Sequence, residues 1–220
     1  MSAPLKFARR GAPLGTARQM VVFVHGYGAD GADLLSLADP LTPHLPDTAF
    51  YAPDAPQPCS GNPFGRQWFA IPRFDGSTEA QAQLGLEAAA ADLNSFLDAR
   101  LTEEGLTAER LILLGFSQGA MMSLHIAPRR DTPLAGVVAI SGKLMYPNDL
   151  SGSVKVRPEV LLIHGDADDV VPFEEMQRAG QALHAAGIVT YGHVMHGMGH
   201  GIAPDGLQVA LSFMAQRFGL

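Results

Sequence analysis

The chain has 220 residues, 47% hydrophobic and 17% charged, with a formal net charge of −7. That size suits one α/β domain, 1–220, with a large core. The acidic balance argues against general nucleic-acid binding, since no basic cluster interleaved with aromatics offsets it. No apolar run is long enough for a membrane helix, so no stable membrane insertion is expected.

The start, "MSAPLKFARRG", has basic residues but no apolar stretch behind them, and reads as no signal peptide. Two short apolar runs follow, "MVVFVHG" at 20–26 and "TAFYAPD" at 48–54. Continuous rather than alternating apolar residues indicate strands buried on both faces. The stretch 53–76 breaks the rhythm; it is rich in Pro and Gly and holds the single Trp, Trp68. It reads as an irregular, lid-like loop or a wall of a binding site. The plainer alternative is a surface excursion pinned by Trp68 and Phe69. The one cysteine, Cys59, forbids an intramolecular disulfide and fits a reducing, cytoplasmic location.

Residues 78–105 have apolar positions at helical spacing, alanine filler and a glycine stop. The run "RLILLGFS" at 110–117 is a buried strand, and "SQGAMMSLHIA" at 117–127 leaves it as a helix that stops before Pro128. "LAGVVAIS" at 134–141 and "EVLLIHGD" at 159–166 are further buried strands. The segment 172–187 opens with Pro, carries acids in its first turn and ends in Gly, all signs of a helix. "TYGHVMH" at 190–196 interleaves polar residues, which suits a strand near a sheet edge; a helix at 203–218 closes the chain. This alternation predicts a mostly parallel central sheet with helices on both faces.

The pattern Gly115-Phe116-Ser117-Gln118-Gly119 is weak by itself in a chain with 24 glycines. Its setting strengthens it. A strand runs into Ser117 and a helix runs out, so the serine sits on a sharp elbow where positions 115 and 119 must be small. The helix N-terminus puts N–H groups and partial positive charge beside it, which favours an oxyanion. A serine hydroxyl needs a base, and the base needs an orienting acid. On this type of scaffold the chain order is Ser, acid, His. Asp166, Asp168 and Asp169 all follow the strand at 159–166, at the end where α/β sheets place their sites, and spacing alone does not separate them. His200, between two glycines before the last helix, is the expected base, with His196 as fallback and His193 a weaker competitor. His25 and His164 precede glycines at strand ends and are expected to support the site. His125 reads as a core histidine, and His44 and His184 as surface residues.

Four blocks together resemble the phospholipase/carboxylesterase family of α/β-hydrolases, which includes the acyl-protein thioesterase-like esterases. They are "VFVHGYGADGADLL" at 22–35, "RQWFAI" at 66–71, "LLGFSQGAMMSL" at 113–124, and "IHGDADDVVP" at 163–172 followed by "GMGHGI" at 197–202. The resemblance implies an α/β-hydrolase fold with no large cap domain. It implies Ser117 as nucleophile, Asp168 as the acid and His200 as the base. It also implies an oxyanion hole made by the backbone N–H groups of Tyr27 and Gln118. Tyr27 stands where the family often has Leu, which keeps the donor and alters the pocket wall. "GAMM" replaces a more glycine-rich sequence after Gln118.

The implied reaction is hydrolysis of short-to-medium carboxylic esters through an acyl-enzyme, with a small-molecule ester as partner and no cofactor or metal. Acyl-thioesterase or lysophospholipase activity is the alternative. A metallohydrolase using His193, His196, His200 and the aspartates is more distant, because the spacing fits no zinc-binding helix motif. A non-catalytic binding protein is equally distant, given an intact Ser, Asp and His set. An apolar pocket is expected, walled by Tyr27, Trp68, Phe69, Met121, Met145, Val170 and Val171, with Met122 as core filler. Family members can form dimers through exposed apolar surface, so the resemblance allows a homodimer.

Overall fold

A computed structural model describes residues 4–59 and 62–220. Residues 1–3, from the segment read for a signal peptide, and residues 60 and 61, from the lid-like stretch, lie outside the described residues. In chain order the elements are β1 (Phe7–Gly11), β2 (Gln19–Val24), α1 (Gly31–Leu35), α2 (Ala38–Leu41), β3 (Thr48–Pro53), β4 (Gln57–Cys59), β5 (Asn62–Gln67), α3 (Pro72–Asp75) and α4 (Glu79–Glu104). Then come β6 (Leu111–Phe116), α5 (Gln118–Ile126), β7 (Gly136–Ile140), α6 (Leu150–Ser153), β8 (Val160–Gly165), α7 (Glu174–Ala185), β9 (Thr190–Met195) and α8 (Pro204–Phe218).

The main sheet has the order β1-β3-β2-β6-β7-β8-β9. Only β1 runs antiparallel, against β3. The remaining pairs are parallel. Side chains alternate across each central strand. Val22 and Val24 of β2, with Leu113 of β6, face a layer holding Leu86 and Leu93 of α4 and Leu183 of α7. Val21 and Phe23, with Ile112 and Leu114, face Leu41 of α2 and Phe213 and Met214 of α8. Covering both faces explains why these strands read as unbroken apolar runs. At β9, on the edge, the exposed Tyr191 and half-buried His193 account for its interleaved polar pattern.

The chain leaves β2 toward β3 on one side and returns to β6 on the other. Loops after β2 and β6 therefore diverge, and the crevice between them lies at the carboxyl ends of the strands. Open α/β sheets bind ligands at such a switch point.

The structure differs from the sequence reading at 53–76. Among its described residues, Pro53 closes β3, β4 and β5 pair as a small antiparallel sheet, and α3 follows, where the sequence reads as irregular. The described residues include no large cap domain. β1 is also an addition, since its arginines hide a strand that needs only one neighbour.

Candidate active site

Ser117 caps α5 at the end of β6 with φ +53° and ψ −117°. A non-glycine residue in so sparsely populated a region costs about 1–3 kcal/mol, so its surroundings must hold it. They do. Its N–H donates to the Ile140 carbonyl at 2.9 Å. A Cβ at Gly119 would lie 1.8 Å from the Val24 carbonyl oxygen, and one at Gly115 would lie 2.3 Å from the Gly119 oxygen. Backbone packs against backbone here, and only glycine leaves room.

His200 lies in the loop between β9 and α8. Its Nε2 is 3.0 Å from Ser117 Oγ and its Nδ1 is 2.8 Å from Asp168 Oδ2. The Phe116 ring packs beside the imidazole, with centroids 4.9 Å apart. Asp168 follows β8, and its side chain is inaccessible to solvent. Its Oδ1 accepts the N–H groups of Val170 and Val171, both at 2.9 Å. Burial works to raise its pKa. The hydrogen bonds from His200, Val171 and Val170 outweigh that and hold the carboxyl below the ordinary carboxylate value.

The other acids and histidines are separated by their partners. Asp166 accepts from His196 Nδ1 at 2.8 Å and from the Gly197 N–H at 2.6 Å. His193 faces Asp205 at 2.8 Å. Asp169 is exposed. The three histidines of the β9 region thus each meet a different aspartate and do not converge. His164 is buried against the site. Its Nε2 donates to the Val171 carbonyl at 2.9 Å and lies 3.3 Å from Asp168 Oδ2. His125 is buried in α5 beside Glu87, while His44 and His184 are exposed.

A cavity of about 400 Å³ opens beside Ser117 and His200. Tyr27, Phe69, Gln118, Met121, Met145, Val170 and Val171 line it, all residues singled out from the sequence. Trp68 does not line it, and that expectation is corrected. Its side chain is fully buried, packs 5.5 Å from the His25 ring, and donates through Nε1 to the His25 carbonyl at 2.9 Å. Phe69 takes the cavity side and Trp68 the core side.

Sequence reasoning missed the walls at Ile71 and Phe74 and the rim charges Lys143 and Glu175. The first two lie in the Pro-rich stretch whose burial pattern no periodicity reveals. Also missed was the Gln118 side chain. Its Nε2 donates to the Phe69 carbonyl at 2.8 Å and its Oε1 accepts the Trp68 N–H at 2.8 Å. As the first residue of α5, Gln118 has a backbone N–H without an intrahelical acceptor. A hydroxyl, an imidazole and a carboxylate so linked can pass a proton from the hydroxyl to the ring while the carboxylate balances the charge.

A family model described as Phospholipase/Carboxylesterase matches residues 11–217. The chain belongs to that family. Relatives in it include the esterase YpfH of Escherichia coli, 28% identical over 90% of this chain and 82% of that protein. Acyl-protein thioesterase 1 of Saccharomyces cerevisiae is 29% identical over 94% of this chain and 96% of its own length. The crystal structure of esterase PE8 superposes with a TM-score of 0.92 at 40% identity, covering 97% of this chain and 99% of that one. The protein is thus an enzyme of the serine-hydrolase type on an α/β-hydrolase fold, and its activity lies among the esterases and acyl-protein thioesterases of the family.

Proposed function

We propose that the protein is a serine carboxylesterase acting on short-to-medium acyl esters, with Ser117, His200 and Asp168 as its catalytic triad. One observation carries the reading: the unbroken chain from Ser117 Oγ through the imidazole to Asp168, at 3.0 and 2.8 Å, at the mouth of an apolar cavity. His200 takes the proton as Ser117 attacks the ester carbonyl. Asp168 fixes the ring tautomer, leaving Nε2 to face the serine. The backbone N–H groups of Tyr27 and Gln118 receive the oxyanion, each worth about 2.7–4 kcal/mol to the transition state. The alcohol leaves with the proton from His200. Water, activated by the same ring, then releases the acid from Ser117. Phe69, Met121, Met145, Val170 and Val171 hold the apolar part of the substrate.

The relatives named as acyl-protein thioesterases support a second reading, in which a thioester replaces the ester in the same two steps. Ser117→Ala should abolish turnover of 4-nitrophenyl esters and labelling by a fluorophosphonate while the circular dichroism spectrum stays unchanged. Full turnover in that variant would sink the mechanism. Parallel rates on matched oxygen and sulfur esters decide between the two substrate classes.

A further inference from the structure

Ester hydrolysis as described gives the buried His25 no task. His25 follows β2 and is fully buried. Its Nδ1 lies 2.7 Å from the Gly26 carbonyl oxygen, and its Nε2 lies 3.0 Å from the Ala55 N–H. An amide N–H can only donate, so Nε2 holds the lone pair. The proton of the neutral ring is therefore on Nδ1, which donates to the Gly26 carbonyl. Burial pushes the His25 pKa down, against the nearby carboxylates of Asp54, Asp30 and Asp33, and so favours the neutral ring that both bonds require.

The Gly26 carbonyl belongs to the same peptide unit as the Tyr27 N–H. That unit is planar and trans, so its C=O and N–H point in opposite directions. Fixing the carbonyl fixes where the N–H points. A hydrogen bond to the oxygen also draws charge from the nitrogen and makes the N–H a better donor. We propose that His25 is a positioning residue for the oxyanion hole, holding and polarising the Gly26–Tyr27 peptide so that the Tyr27 N–H meets the oxyanion. The inference rests on the reading of Tyr27 as an oxyanion donor. The Ala29 N–H also reaches the Gly26 oxygen, but at 3.4 Å, and the short bond is the one from His25. The ring is braced in turn by the Ala55 N–H and by the Trp68 indole.

Two substitutions separate the ring's two bonds. His25→Asn keeps an amide N–H near the Nδ1 position and gives up the Ala55 partner. His25→Gln reaches toward Ala55 and gives up the Gly26 bond. Turnover of 4-nitrophenyl acetate is measured per fluorophosphonate-titrated site, so unfolded molecules do not count. His25→Gln should lower kcat about 10- to 100-fold with little change in KM, short of the ~10²–10³ for total loss of a donor. Affinity for an alkyl boronic acid, which forms a tetrahedral adduct on serine, should fall in parallel. His25→Asn should recover most of both. Equal losses in the two variants, a loss confined to KM, or an unmoved boronate affinity would overturn the assignment while the serine-esterase reading stands. Labelling or turnover that survives Ser117→Ala would overturn both.

Discussion

At the scale of single residues, Asp168 holds the His200 ring in place. Both of its oxygens are engaged, one by the Val170 and Val171 N–H groups and one by His200. Asp168→Asn keeps the volume but puts an amide where, in the proposed mechanism, a carboxylate balances the imidazolium. It should lower kcat by roughly 10⁴-fold with KM little changed, as steady-state kinetics on an aryl ester will register. Much of this site is legible in the sequence because its chemistry sits at strand ends, and strands announce themselves as apolar runs. Ser117 stands out on that basis, and His200 because two glycines flank it in the loop before the last helix. The choice among Asp166, Asp168 and Asp169 is not legible from spacing, because it depends on which carboxylate each turn aims at which histidine. Trp68 shows the opposite failure. A large aromatic in a loop invites a binding role, but its indole N–H found a buried carbonyl, and nothing local encodes that partner.

At the scale of elements, the pocket wall at 69–74 is tied to the elbow at Ser117 by the Gln118 side chain. Gln118 accepts from the Trp68 N–H and donates to the Phe69 carbonyl, which couples the wall to α5. Gln118→Ala keeps the backbone donor and leaves both wall groups unpaired, at about 1–3 kcal/mol each where they stay buried. The variant should raise KM for longer acyl chains more than for acetate, and a chain-length series checks it. Equal effects at every length would mean that the clamp serves stability alone. The helices at 78–105 and 172–187 are legible because their caps are: Thr78 begins α4 with a reciprocal capping pair to Gln81, and Gly105 ends it at φ +68°. The β4–β5 hairpin is not, because Pro56, Pro58, Pro63 and Gly65 break every periodic template. Its register is set by tertiary contacts instead, including the Arg66 guanidinium donating to the Ala55 and Pro56 carbonyls.

Across the whole molecule, the antiparallel edge is fastened far from the site. Glu104, its side chain fully buried at the end of α4, accepts from Arg9 of β1, from Tyr51 of β3 and from the Gly15 N–H. Arg9→Met leaves that carboxylate short of its cation and should destabilise the fold by about 3–5 kcal/mol. Thermal melts measure the loss; turnover per folded molecule at low temperature should not change. Burial raises the Glu104 pKa, but the bonds from Tyr51, Arg9 and Gly15 bring it below the ordinary value, and Asp168 is likewise depressed. A carboxylate lowered on folding stabilises above its unfolded value, roughly 3.9–4.3, and loses that contribution as pH falls through the folded value. Tyr51 is pushed up to about 12, first by burial and then by Glu104. Its contribution is complete below about 10 and disappears as pH rises through the folded value. A plot of melting temperature against pH should therefore bend down at both ends, and Tyr51→Phe should make the alkaline bend shallower.

The burial of Trp68 has an optical consequence. It is the single tryptophan of the chain, and it touches His25 and, through its backbone, Gln118. Its emission therefore reports the state of the loop after β2 and the pocket wall rather than an average over the molecule. In the native protein that emission should be blue-shifted and shielded from iodide. If the wall loosens before the sheet melts, the red shift will precede the loss of circular dichroism on heating. The enzyme thus carries a built-in fluorophore between the loop after β2 and the wall of its cavity.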